Sequence, residues 1–78
     1  MKVLVQIVVD PPKLEDVCKK LAAMPEVKTV YEITGEFDIF IEINVDSIDK
    51  FRNILKNKIL KIDGVKLTES SVVLGEWK

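Results

Sequence analysis

The sequence contains no histidine and a single cysteine among its 78 residues. The missing imidazole removes the side chain most often used as a general base, as a metal ligand and as the activator of a catalytic nucleophile. A lone Cys18 excludes an internal disulfide, and its place on an apolar helical stripe favours a small buried side chain over a reactive thiol. Neither a metal nor a cofactor site is indicated by these residue types.

Long apolar runs and blocks of like charge are also missing. No segment approaches the roughly 20 apolar residues of a membrane helix, and Asp10-Pro11-Pro12 interrupts the apolar start, so we expect no membrane span and no signal peptide. The 12 basic and 13 acidic residues are interspersed and give a net charge of −1, whereas nucleic-acid-binding domains cluster their basic residues. We therefore expect a cytoplasmic protein that binds neither nucleic acid nor membrane itself.

Apolar residues are abundant for so short a chain. They make up 47% of the sequence, mostly as Val, Ile and Leu. One domain over residues 1–78 is expected, and a domain of this size buries only roughly 60–65% of the surface that its unfolded chain exposes. Part of the apolar surface is therefore expected to contact another subunit.

The apolar periodicity predicts the element order strand, helix, strand, strand, helix, strand. We expect strands at 2–9, 27–34, 37–45 and 65–74, and helices at 13–24 and from the Asp46-Ser47 cap to residue 59. Val27, Tyr31 and Ile33 are expected to share one face of the second strand. A turn at Gly35 joins the two middle strands as an antiparallel hairpin. This order predicts an α+β, ferredoxin-like βαββαβ fold, with two helices on one face of a four-stranded antiparallel sheet.

The sheet face that the helices leave uncovered is predicted to be apolar. Leu4, Val8 and Phe40 are expected on it, and it is expected to gain Val30 together with either Val72 and Leu74 or Val73. An apolar second face predicts a homodimer that packs sheet against sheet, as in a dimeric α+β barrel. Trp77 is expected to serve as a packing or interface anchor.

Three segments carry a resemblance to a known family. In order they are residues 21–27 (LAAMPEV), 31–38 (YEITGEFD) and 64–74 (GVKLTESSVVL). They resemble the patterns L-x-x-x-P-x-V, TG-x-(F/Y)-D and GV-x-x-T-x-T-x-(I/V)-V-L of the leucine-responsive regulatory protein (Lrp/AsnC) family. The resemblance covers only the C-terminal effector-binding (RAM) domain and not the DNA-binding helix-turn-helix, so we expect a stand-alone RAM domain.

The resemblance implies a binding site and a mode of assembly. RAM domains form dimers that assemble into rings, commonly octamers or decamers, and amino-acid effectors bind between neighbouring dimers. Carried over by position, the ligand-binding residues are Gly35, Glu36, Phe37, Asp38, Thr68 and Ser70. The glycine would let the backbone approach the ligand, the next two amides would meet its carboxylate, and Asp38 would accept hydrogen bonds from its ammonium group. Thr68 and Ser70 would add hydroxyls, with serine in place of the family's threonine.

Three functions from different classes stay open at this point. The favoured one is a non-enzymatic module that senses an amino acid and modulates transcription through full-length Lrp/AsnC-type regulators. The second is a small dimeric α+β barrel enzyme, similar to a monooxygenase, which needs polar groups converging in a cavity. The third is a purely structural oligomer or an ACT-like domain. Gly35 and Asp38 also have purely structural interpretations: the glycine is a turn residue, and the aspartate ends a hairpin.

Overall fold

The computed structural model describes all 78 residues, which form four strands and two helices. The strands are β1 (Lys2–Val9), β2 (Val27–Glu32), β3 (Ile39–Asn44) and β4 (Val65–Val72), and the helices are α1 (Leu14–Ala22) and α2 (Ile48–Ile54). A 3₁₀ turn over Pro11–Lys13 leads into α1, and a π-helical segment, Leu55–Ile59, continues α2. Neither helix combines the length and the apolar content needed to cross a bilayer.

The strands form one antiparallel sheet in the order β2-β3-β1-β4, so the predicted ferredoxin-like fold is confirmed. Alternate residues of the two central strands point toward the helices and form the core together with apolar residues of α1, α2 and the π-helical segment. Every fully buried residue is apolar: Val3, Val5, Ile7, Val9, Val17, Leu21, Ile39, Ile41, Ile43, Phe51, Ile54 and Ile59. Cys18 is partly buried and packs against this core.

The two helices begin and end for different local reasons. Pro11 occupies the first turn before α1, where its missing N–H costs nothing, and α1 ends at Ala22 rather than at residue 24 as predicted. The predicted cap of α2 is confirmed, because Ser47 Oγ accepts a hydrogen bond from the Lys50 N–H at 3.2 Å. The expectation that Ile59 continues the inward apolar stripe is also confirmed, although through a π turn that was not predicted.

The π turn places an apolar residue in the core. A regular α-helix would bring the residue four positions after Ile54, which is Lys58, to the inward face. The wider turn, closed by the Leu60 N–H donating to Leu55 O at 2.8 Å, brings Ile59 inward instead. Lys58 stays at the surface and pairs with Glu26 at 2.6 Å. The extra residue in this turn therefore keeps a lysine out of the core.

A bulge in β2 corrects two of the predictions for this strand. Val27 lies opposite Ile43, but Thr29 lies opposite the next residue, Glu42, so the register shifts at the residue between them. As a result Val30 packs against the core and does not join the uncovered face. Tyr31 turns to the uncovered face, where its ring centroid lies 6.4 Å from that of Phe40. The predictions that Val27 and Tyr31 share a face and that Val30 is outward are both wrong.

The uncovered side of the sheet, called the open face below, mixes apolar and polar residues and is less apolar than predicted. Val72 lies opposite Val3, which is buried beneath the helices, so the residue that joins the open face is Val73, beside Lys2. The apolar side chains of the open face are Leu4, Val8, Tyr31, Phe40, Leu67 and Val73. They share it with polar and charged residues, which are Lys2, Gln6, Thr29, Glu42, Asn44, Glu69 and Ser71. Strand β4 itself ends at Val72, two residues earlier than predicted.

Candidate functional site

The predicted ligand loop connects β2 to β3 over residues 33–38. Gly35 has φ of 105°, a left-handed conformation that L side chains rarely adopt, and no atom lies within 4 Å of the position that a Cβ would take. The N–H groups of residues 34–37 make no hydrogen bond within the chain. Consecutive free amides in a tight loop form an anion-binding concavity. The loop therefore has open space above its glycine and donors for a carboxylate.

Asp38 fastens this loop to the end of β1. Its Oδ2 accepts a hydrogen bond from the Val9 N–H at 2.9 Å, its N–H donates to Ile7 O at 2.9 Å, and its O accepts from the Ile33 N–H at 2.9 Å. These bonds end the predicted extension of β3, which begins at Ile39 rather than at residue 37. The other carboxylate oxygen, Oδ1, has no partner within the chain. Asp38 thus has a structural role and keeps one acceptor for a ligand.

The two predicted hydroxyls lie on β4, across β1 from the loop. Thr68 is opposite Ile7, which is in turn opposite Ile39, so the threonine lies two strand spacings, roughly 10 Å, from the start of β3. Ser70 is opposite Val5, one pleat repeat or roughly 7 Å further from the loop end. The structure brings Asp38 and Thr68 to the same end of the sheet, while Ser70 lies nearer its middle.

The chain has two surface cavities, and neither is lined by any of the six predicted site residues. The larger, about 510 Å³, lies at the opposite end of the sheet and is lined by Glu26, Asn44, Val45, Asp46, Asp49, Lys50, Asn53 and Ile54. The smaller, about 320 Å³, lies between α1 and β2 beside Cys18. Within a single chain, the predicted site is therefore an exposed loop that no cavity encloses.

The carboxylates of the larger cavity are mostly held by lysines. Lys58 lies 2.6 Å from Glu26 and Lys50 lies 2.9 Å from Asp46, and each hydrogen-bonded lysine lowers the pKa of the carboxyl it contacts. Asp49 makes no ion pair. From the sequence, Asp46 was expected only to take part in the cap of α2, and the nearby Asn44 and Asn53 were the signal that could have indicated a polar groove. No three acidic or sulfur side chains come together in a way that could hold a metal ion.

Similarity to known proteins decides the family. Residues 2–78 match the model of the Lrp/AsnC ligand binding domain. The chain belongs to this family. The resemblance inferred from the three segments is thereby confirmed.

The curated relatives of this Lrp/AsnC domain include longer proteins named as regulatory proteins or transcriptional regulators. The regulatory protein AsnC of Escherichia coli is 42% identical over 55 residues, which are 70% of this chain and 36% of AsnC. An uncharacterised HTH-type transcriptional regulator of Pyrococcus horikoshii is 36% identical over 64 residues, 82% of this chain and 40% of that protein. The chain thus spans less than half the length of the curated relatives it matches.

Solved structures agree with this assignment. E. coli AsnC superposes with a TM-score of 0.94 at 31% identity, covering 99% of this chain and 52% of AsnC. A hypothetical protein of P. horikoshii superposes with a TM-score of 0.88 at 28% identity, covering 97% and 92% of the two chains. A transcriptional regulator of Neisseria meningitidis in complex with L-Met shares the fold with a TM-score of 0.93 at 24% identity, covering 99% of this chain and 51% of the regulator.

Proposed function

We propose that this Lrp/AsnC domain binds an amino acid at the loop of residues 33–38 and that binding controls its assembly with Lrp/AsnC-type regulators in the cytoplasm. The observation that carries the proposal is the match to the family's ligand-binding domain over residues 2–78. The complex of a protein of the same fold with L-Met supports an amino acid as the ligand class.

The loop chemistry suits the two charged ends of an amino acid. The ligand's carboxylate accepts hydrogen bonds from the free amides of Glu36 and Phe37, and Gly35 leaves room for its approach. The ligand's ammonium group donates to the free Oδ1 of Asp38, a charge-assisted bond that is stronger than a neutral one. Thr68 adds a hydroxyl at the same end of the sheet, and Ser70 adds one from further along β4.

Assembly with other copies of the chain encloses the ligand loop, which is open to solvent in a single chain. The open face pairs with that of a second copy to form a dimer, and the loops of neighbouring dimers enclose the ligand in a ring such as an octamer or decamer. A ligand that contacts two dimers stabilises the larger assembly by linkage. In this proposal, an effect on transcription passes through a full-length Lrp/AsnC-type regulator in the same assembly.

Titration calorimetry with each of the twenty standard amino acids tests the proposal. The informative variant is Asp38→Asn, because the amide oxygen can still accept the Val9 N–H while the negative charge is lost. We expect binding to weaken at least about 10-fold, since a hydrogen bond to a charged group contributes about 1.5–3 kcal/mol. The thermal midpoint should change little.

The matched control is Glu36→Gln, which removes one negative charge from the exposed side of the same loop and leaves the amide in place. It should bind the ligand about as tightly as the parent protein. Equal affinity for Asp38→Asn and the parent would refute the ammonium contact, and the lack of heat with every amino acid would refute the ligand class.

A further inference from the structure

Two large apolar side chains beyond β4 contact almost nothing. Trp77 is 100% exposed and Leu74 is 98% exposed, whereas no other large apolar side chain of the chain is more than 58% exposed. Both belong to residues 73–78, called the arm below. A buried aromatic side chain removes about 150–250 Å² of surface from water. Because Trp77 gains none of this burial within its own chain, it and Leu74 indicate a contact that a single chain does not make.

The arm is held on the side of the sheet that carries the open face. The Val73 N–H donates to Lys2 O at 2.9 Å, and Lys2 Nζ lies 2.6 Å from Glu76 Oε1. Lys2 occupies an even position of β1, as Leu4 does, and its Nζ also lies 3.9 Å from Glu42 on the open face. The arm therefore continues the open face outward at one end, where the surface ion pair of Lys2 and Glu76 joins it to β1.

The size of the open face indicates what covers the arm. The strands contain 8, 6, 6 and 8 residues, each about 3.3 Å long and about 4.8 Å from the next strand, so the sheet spans roughly 440 Å² in projection. About half of the residues on this face are polar or charged. A stable protein dimer commonly buries about 800 Å² per partner. The indole and the leucine enlarge the apolar area next to Val73, at one end of the open face.

We infer that Leu74 and Trp77 of each copy pack against the rim of the open face of a second copy, so that two arms are exchanged in a symmetric dimer. This inference rests on the sheet-to-sheet dimer of the proposed function. A two-fold interface is self-complementary, so one arm contact is made twice. Tryptophan is also the residue type most enriched among the side chains that dominate binding energy at interfaces.

Trp77 is the only tryptophan of the chain, so its fluorescence reports on the arm alone. Sedimentation velocity and acrylamide quenching are measured on the same dilution series. In the dimer the indole should be protected from quenching by acrylamide. Its fluorescence emission maximum should lie at a shorter wavelength than that of N-acetyltryptophanamide, which represents a fully exposed indole. Both properties should move to those of the free indole with the same midpoint as dissociation.

Two substitutions and a control complete the test. Trp77→Ser and Leu74→Ser should each raise the dimer dissociation constant at least about 30-fold, with unchanged circular dichroism because neither side chain packs within its own chain. Leu60→Ser replaces another exposed leucine, just after the π-helical segment, and should leave the dissociation constant unchanged.

An indole that is fully quenchable in the dimer would overturn the arm and leave the sheet-to-sheet dimer standing. Protection of the indole already in the monomer would overturn it too, because the arm would then cover its own chain. A chain that stays monomeric at every concentration would refute both the arm and the dimer.

Discussion

Gly64 should be the least replaceable glycine of this domain. It has φ of 100°, and a Cβ built on it would overlap the Cβ of Lys13, lie 2.9 Å from Lys13 Cγ and lie 3.3 Å from Val17 Cγ2. The lysine Cβ is fixed by the backbone of the 3₁₀ turn, and Val17 is fully buried. Neither atom can move aside by a side-chain rotation that leaves the core intact.

The cost of Gly64→Ala follows from two terms. Holding an alanine in the left-handed conformation costs roughly 1–2 kcal/mol, and displacing packed neighbours costs about 1–3 kcal/mol. The lower entropy of the unfolded alanine chain offsets about 0.4–1 kcal/mol of this. We expect a net loss of about 2–4 kcal/mol from the free energy of unfolding.

Gly35→Ala is the matched control, because its φ of 105° is nearly the same and nothing lies within 4 Å of its Cβ position. Gly35→Ala should lower the free energy of unfolding by only about 1 kcal/mol, because the left-handed backbone strain remains but no atom overlaps the new Cβ. Urea denaturation followed by circular dichroism, at one protein concentration for all variants, gives both values. Equal losses for the two glycines would refute the argument that the contact with Lys13 decides the difference.

Two further predictions concern polar contacts at the surface. Ser47→Ala should lower the free energy of unfolding by about 1 kcal/mol, measured in the same urea assay, because the Lys50 N–H loses its cap; an unchanged midpoint would show that the cap contributes nothing. Lys58 holds the pKa of Glu26 below its ordinary value of 4.5, so this pair should stabilise the fold above that pH and lose its effect as the pH falls through the lowered pKa. Lys58→Met should therefore reduce the loss of thermal stability between about pH 5 and pH 3, and a parallel acid profile for variant and parent would contradict the assignment.

The elements of the fold were predictable where one residue pattern had one physical solution. Alternating apolar residues in β1 and β3 and apolar stripes in α1 and α2 each match one regular structure. The bulge in β2 was not predictable, since a shift of one residue reverses every later side chain and the register is set by the partner strand. The π turn was likewise decided by which side chain, Lys58 or Ile59, the core could accept.

The candidate loop was predicted from residue types, but its geometry was not. Gly35 in a short connection between two strands indicates a turn from the sequence alone, and the structure confirms the left-handed φ. The bond from Asp38 to Val9 joins residues 29 positions apart, and no local pattern reports it. The same holds for the arm: Trp77 was expected to be a packing or interface anchor, and only the structure shows that it does not pack within its own chain.

The amino-acid sequence by itself determined the element order, the inward residues of the central strands and the family, because these depend on short-range periodicity and on segments that stay recognisable in isolation. The tertiary structure decided which residues of the edge strands face outward. It also decided that one carboxylate oxygen of Asp38 accepts a hydrogen bond from Val9 while the other stays free, and that Trp77 is fully exposed in a single chain. Those features depend on contacts between residues far apart in the chain, where the pairing of strands and the shape of the core select one arrangement among several that local preferences allow.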